Sequence, residues 1–101
     1  MFGDMEEKQK EMQEKLSGIT LEGVADAGAV RVTVTASREI VNISIDKDKV
    51  DVTDMEQLED LIMVAANRAL SAAADKEAEE AQNMLKNMLP PGMGGLGNLF
   101  G

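Results

Sequence analysis

Between residues 4 and 17 the chain is made of strong helix formers, with apolar residues confined to Met5, Met12 and Leu16, and Ile19 just beyond. That spacing predicts a helix with a narrow apolar stripe. Met5, Met12 and Ile19 recur every seven residues, the step of a coiled-coil seam, but two heptads make an isolated helix marginal in water. Such a helix needs a partner surface. Gly18 stands where a helix stop is expected.

After Gly18 the period changes from helical to alternating. Thr20–Ala25, Ala29–Thr35 and Ile40–Ile45 are short runs rich in β-branched residues, separated by turn signals at Asp26-Ala27-Gly28 and Ala36-Ser37-Arg38-Glu39. In the second run Val30, Val32 and Val34 face one way and Arg31, Thr33 and Thr35 the other, as in a half-buried antiparallel strand. In the third run Val41, Ile43 and Ile45 are expected to share a face. These runs predict a three-stranded antiparallel meander over residues 20–46, followed by the polar connector Asp46-Lys47-Asp48-Lys49-Val50-Asp51.

Residues 54–89 return to a helical period, 36 residues or about 54 Å at 1.5 Å per residue. Thr53, with Glu56 three positions later, has the form of a capping box at its start. The first half carries a broad apolar face of Met55, Leu58, Leu61, Ile62, Ala65, Ala69 and Leu70, the expected core side of the helix. Ser71–Glu80 is Ala-rich and charged, and is expected to project as an arm. A weaker seam of Ala81, Met84, Leu85 and Met88 follows, and Pro90-Pro91 stops the helix. A helix this long exceeds the width of a three-stranded sheet, so it must overhang or meet a second subunit. The glycine-rich residues 92–101 are expected to be flexible. Residues 1–91 thus form one α+β domain of order α-β-β-β-α. Its core and dimer residues are expected to be Val30, Val32, Val34, Val41, Ile43, Ile45, Leu58, Leu61, Ile62 and Ala65.

Composition narrows the chemistry sharply. Only Phe2 and Phe100 are aromatic, so the core is aliphatic, and the absence of Cys, His, Trp and Tyr removes thiol nucleophiles, imidazole bases, thiolate or imidazole metal sites and stacking platforms for bases. The lack of cysteine fits a reducing compartment. A charged N-terminal segment and the absence of a long apolar run predict a soluble cytoplasmic protein without a secretory signal or membrane span. The glycines of residues 92–97 are not flanked by the strand and helix a phosphate cradle requires. Asp46, Asp48 and Asp51 lack the spacing of a calcium loop and alternate with Lys47 and Lys49, as a solvated connector would. Ser37 and Ser44 have no histidine to activate them. No catalytic residue, cofactor, metal or small-molecule substrate is assigned, and the protein is not expected to be an enzyme.

With 19 acidic and 10 basic residues the net charge is −9, which opposes simple attraction to nucleic acid or anionic lipid. The cations that could meet phosphate on the helices are Lys8, Lys10 and Lys15 on the first and Lys76 and Lys86 on the second, with Arg68 also on the latter. These have acidic neighbours, such as Glu11 beside Lys8 and Lys15 and Glu80 four residues after Lys76, so ordinary surface pairing explains them without a ligand.

The order helix, meander, long helix and Pro-Pro-Gly-Met resembles the YbaB/EbfC family of bacterial nucleoid-associated proteins. The resemblance is carried by the Met-Phe-Gly start, Met12-Gln13-Glu14-Lys15-Leu16, Gly28-Ala29-Val30-Arg31-Val32-Thr33-Val34, Ile43-Ser44-Ile45-Asp46, Leu58-Glu59-Asp60-Leu61-Ile62 with Ala65-Ala66-Asn67, and Leu89-Pro90-Pro91-Gly92-Met93. It implies an intertwined homodimer with projecting helical arms that binds double-stranded DNA with weak sequence selectivity and contributes to nucleoid organisation and gene regulation. The arm positions it offers for DNA are Lys8, Lys10, Lys15, Lys76 and Lys86. An alternative is an acidic homodimeric scaffold that receives a partner protein's helix on its Met-rich seams, Met5, Met12, Met84 and Met88. Reversal of the arm charges separates the two.

Overall fold

A computed structural model describes residues 2–88. Five elements follow in order: α1 (Phe2–Ser17), β1 (Thr20–Ala25), β2 (Val30–Thr35), β3 (Ile40–Ile45) and α2 (Met55–Met88). The α-β-β-β-α reading is correct. Pro90-Pro91 and the glycine-rich residues 92–101 lie outside the described residues.

The strands form one antiparallel sheet in sequential order, with Gly23 opposite Val32 and Val30 opposite Ile45. The β1–β2 connection turns through left-handed backbone at Asp26 (φ 52°), Ala27 (φ 53°) and Gly28 (φ 92°), and Ala29 N–H donates to the Asp26 carbonyl at 3.1 Å. In the β2–β3 turn Arg38 is left-handed (φ 70°), its N–H donating to Thr35 O at 2.9 Å, while Thr35 N–H donates to Glu39 O at 2.8 Å. Thr35 is buried, but its hydroxyl is satisfied by Ser37 Oγ at 2.7 Å and by the Glu39 N–H.

Val30, Val32 and Val34 are fully buried against Ala65, Ala69 and Ala73, which recur every four residues along one ridge of α2. Small residues on the helix and a glycine on the strand bring the two backbones together. A Cβ on Gly23 would overlap the Ala65 carbonyl oxygen and the Ala69 nitrogen, and would lie 2.9 Å from Ala69 Cα. Leu21, Ile45, Val50, Leu58, Leu61 and Ile62 are half-buried around this centre.

Three expectations need correction. First, α2 packs on β1 and β2 and scarcely touches β3, so Ile40, Val41 and Ile43 are about half exposed (49%, 53% and 46%) and lie outside the core of a single chain. Second, a bulge shifts the β2–β3 register. Thr33 stands opposite Asn42 but Val34 stands opposite Ile40, so Val41 is the extra residue and Ile40 takes the place expected for it. Third, the N-cap of α2 is Asp54 rather than Thr53. Asp54 Oδ1 accepts the Gln57 N–H at 3.1 Å, while Thr53 turns back to Asp51, donating both its N–H and its hydroxyl to Oδ1.

Candidate nucleic-acid interface

Because α1 is nearly all polar, its docking depends on few contacts. Leu16 is its buried anchor (2% exposed), whereas the expected seam residue Met5 is 64% exposed and Met12 half-buried. Beyond Leu16 the chain is stitched to the sheet, with Ala36 N–H shared between the carbonyls of Leu16 (3.2 Å) and Ile19 (2.9 Å). Gly18 does follow the last helical residue, but without left-handed backbone; Gly18 and Ile19 close the helix with bonds back to Lys15 and Leu16.

This anchoring lays α1 along the distal half of α2. A groove of about 270 Å³ between them is lined by Lys8, Glu11, Met12, Lys15, Glu80, Asn83, Met84 and Asn87. The stretch Ser71–Glu80, expected to be an arm, is partly covered, with Ala73 in the core and Glu80 only 7% exposed.

Glu80 organises this surface. Its Oε2 lies 2.6 Å from Lys15 Nζ and its Oε1 3.5 Å from Lys76 Nζ, while Lys76 also reaches Glu79 at 3.5 Å. The Lys15 ammonium is the contact made by the buried Oε2 oxygen. Contact with the Lys15 ammonium holds the Glu80 carboxyl below its ordinary range against the opposing effect of burial, and Lys76 adds to the lowering. The Lys76–Glu80 pair is the one visible from helical spacing. Lys15 pairs across to α2 instead of with Glu11 on its own helix, a contact only the docking of the two helices creates.

The remaining cations divide into two sets. Arg31 reaches Glu22 on the neighbouring strand at 2.8 Å and Arg38 reaches Glu77 at 3.3 Å. Lys49 donates to Ala27 O at 3.2 Å and Arg68 to Val24 O at 2.7 Å. Among the described residues Lys8, Lys10, Lys47 and Lys86 have no such partner, and all four are exposed. Of the five lysines expected to meet DNA, Lys8, Lys10 and Lys86 therefore have no ion-pair partner among the described residues, while Lys15 and Lys76 are committed to Glu80.

Other candidate chemistry stays structural. Asp46 Oδ1 accepts Asp48 N–H at 3.0 Å, and Asp51 is held below its ordinary carboxyl range by the Thr53 hydroxyl and N–H, so these carboxylates cap turns. Among the described residues no cluster of three metal-ligating side chains occurs, and no helix is long and apolar enough to cross a membrane.

The sequence model of the YbaB/EbfC DNA-binding family matches residues 1–88, the whole architecture just described. The chain belongs to that family. Among relatives of this YbaB/EbfC protein, a nucleoid-associated protein of Lachnoclostridium phytofermentans is 44% identical over 93 residues, covering 92% of this chain and 73% of the relative. Another, from Thermoanaerobacter pseudethanolicus, is 38% identical over 89 residues, covering 88% and 80%. The fold recurs in the crystal structure of an uncharacterized protein from Helicobacter pylori, with a TM-score of 0.71 and 24% identity over 83% of this chain and 88% of that one.

Proposed function

We propose that this protein binds duplex DNA as a homodimer with weak sequence selectivity, acting in the bacterial cytoplasm as a nucleoid-associated factor that contributes to nucleoid organisation and gene regulation. The observation that carries this reading is the YbaB/EbfC match across residues 1–88. The names of the curated relatives agree with it. Residues 1–91 act as one domain.

The phosphate contacts fall to Lys8, Lys10 and Lys86, the exposed lysines of α1 and the end of α2 that have no ion-pair partner among the described residues. Among the described residues no aromatic or arginine cluster is placed to read base edges, so binding rests on the backbone and selectivity is weak. Homodimer formation is supported by the apolar surface that α2 leaves open on β3, Ile40, Val41 and Ile43, together with exposed Val52, Met55 and Met63. A dimer presenting three uncommitted lysines per protomer would make about six phosphate contacts, and six contacts cost roughly 10³ in affinity between 50 and 200 mM salt.

Fluorescence anisotropy of labelled duplexes of unrelated sequence, measured over that salt range, tests the reading, with sedimentation equilibrium for the dimer. A steep salt dependence that K8E/K10E/K86E abolishes is expected. Absence of binding at 50 mM salt would overturn it and move attention to the scaffold alternative, for which the Met12 and Met84 sides of the groove supply a surface.

A further inference from the structure

Glu80 is an unusual residue for its position. It lies on the part of α2 that faces α1 and is 7% exposed, where an aliphatic side chain would pack at a lower desolvation cost. Packing does not account for the carboxylate. Its two oxygens are directed to two arm lysines: Lys15 at 2.6 Å, which lines the groove with Lys8, and Lys76 at 3.5 Å. The Lys15 side chain remains 60% exposed, so its charge is at the surface although it is already matched.

We propose that Glu80 restrains DNA affinity by holding Lys15 in an intramolecular ion pair, and Lys76 jointly with Glu79, so that this carboxylate sets whether Lys15 neutralises a phosphate. The inference rests on the DNA-binding reading above. A lysine that brings its own carboxylate to the duplex neutralises no phosphate and displaces no counterion, so it adds nothing to the salt slope. Glu80 is a positioning residue here: it touches no DNA, and it acts through the two lysines. Glu77 does the same to Arg38 at 3.3 Å, which extends the restraint along the same side of α2.

The test is a set of salt titrations from 50 to 200 mM on the full-length wild type, E80Q, K15Q and E80Q/K15Q. Glutamine keeps the shape of Glu80 and its acceptor oxygen while removing the charge, and Leu16 with the Ala36 bonds keeps α1 docked. E80Q is expected to bind tighter and to show a steeper salt dependence. Each lysine released adds about 0.9 to the slope, which enlarges the affinity loss across this range about 3.5-fold. K15Q is expected to leave the wild-type slope unchanged and to remove most of the gain seen in E80Q, because Glu79 still holds Lys76 at 3.5 Å. A merely structural role for Glu80 would lower the melting temperature of E80Q without steepening the slope. The proposal is overturned by an E80Q slope equal to or shallower than wild type. It is equally overturned if K15Q flattens the wild-type slope, because Lys15 would then already be meeting phosphate, and this arm needs no Glu80 variant to fold. Wild-type binding with an unmoved E80Q slope removes this proposal alone; no binding by either protein at 50 mM removes both it and the DNA reading.

Discussion

Replacing Gly23 by alanine adds one methyl group at the point where β1 and α2 run closest. The new Cβ would overlap two backbone atoms of α2, the Ala65 oxygen and the Ala69 nitrogen, and neither can rotate aside as a side-chain tip would. Restoring ordinary contact distance moves the helix away from the sheet by on the order of 1 Å, and a gap of that size forfeits a quarter to a half of the dispersion well for each atom pair it separates. The pairs affected are those of Val30, Val32 and Val34 with the Ala65, Ala69 and Ala73 ridge, the centre of the core. Overpacking by one methylene costs 1–3 kcal/mol where side chains can yield. With backbone on both sides, we expect about 3 kcal/mol for G23A, at the top of that range. For a domain of this size that lowers the melting temperature by roughly 12–24 °C. Thermal unfolding followed by far-ultraviolet circular dichroism, at one fixed protein concentration, reads it directly. Gly18 is the control, since a Cβ there meets only Lys15 O at 3.5 Å and Glu14 O at 3.8 Å. A G23A protein melting as the G18A protein does would refute the close approach of β1 and α2.

Ala27 adopts left-handed backbone in the exposed β1–β2 turn (φ 53°), so A27G is expected to stabilise the fold by about 0.5 kcal/mol, read as a higher urea midpoint. D54A should cost about 1 kcal/mol in the same titration through loss of the α2 N-cap, and T53A clearly less; the reverse order would return the cap to Thr53. Contact with Lys15 lowers the Glu80 carboxyl from its ordinary 4.5, so as pH falls the unfolded chain takes up that proton first. The stabilisation it gives is complete above about pH 4.5 and disappears as pH drops through the lower folded value, and E80Q should flatten the acid limb of the stability curve over that window. An acid limb unchanged in E80Q would remove the Lys15 contact as its cause.

Features governed by short-range periodicity were legible in the sequence, and features created by distant contacts were not. The Val30, Val32, Val34 alternation gave β2 its buried face, and the helical period after Asp54 located α2 to within a residue at its start. The third strand was ambiguous because Ile40-Val41-Asn42-Ile43-Ser44-Ile45 has apolar residues at both parities before Asn42, and a one-residue bulge is invisible to alternation. Thr53-x-x-Glu56 and Asp54-x-x-Gln57 both satisfy a capping pattern; the structure selects the second because Asp51 has already engaged Thr53. Apolar content could not say which strands the helix of the same chain would cover. In the candidate interface, lysine positions were visible but their availability was not, since the Lys15–Glu80 pair joins residues 65 positions apart on two helices.

The bulge at Val41 bears on how such a chain behaves at high concentration. A sheet edge lined with isoleucine invites further strands to add by main-chain pairing, the route to open-ended fibres. Here the displaced residue interrupts the row of amides after a single position and leaves Asn42–Ile45 as the uninterrupted length, too short to template a long ladder. An oily strand can then face a second copy without templating open-ended filaments.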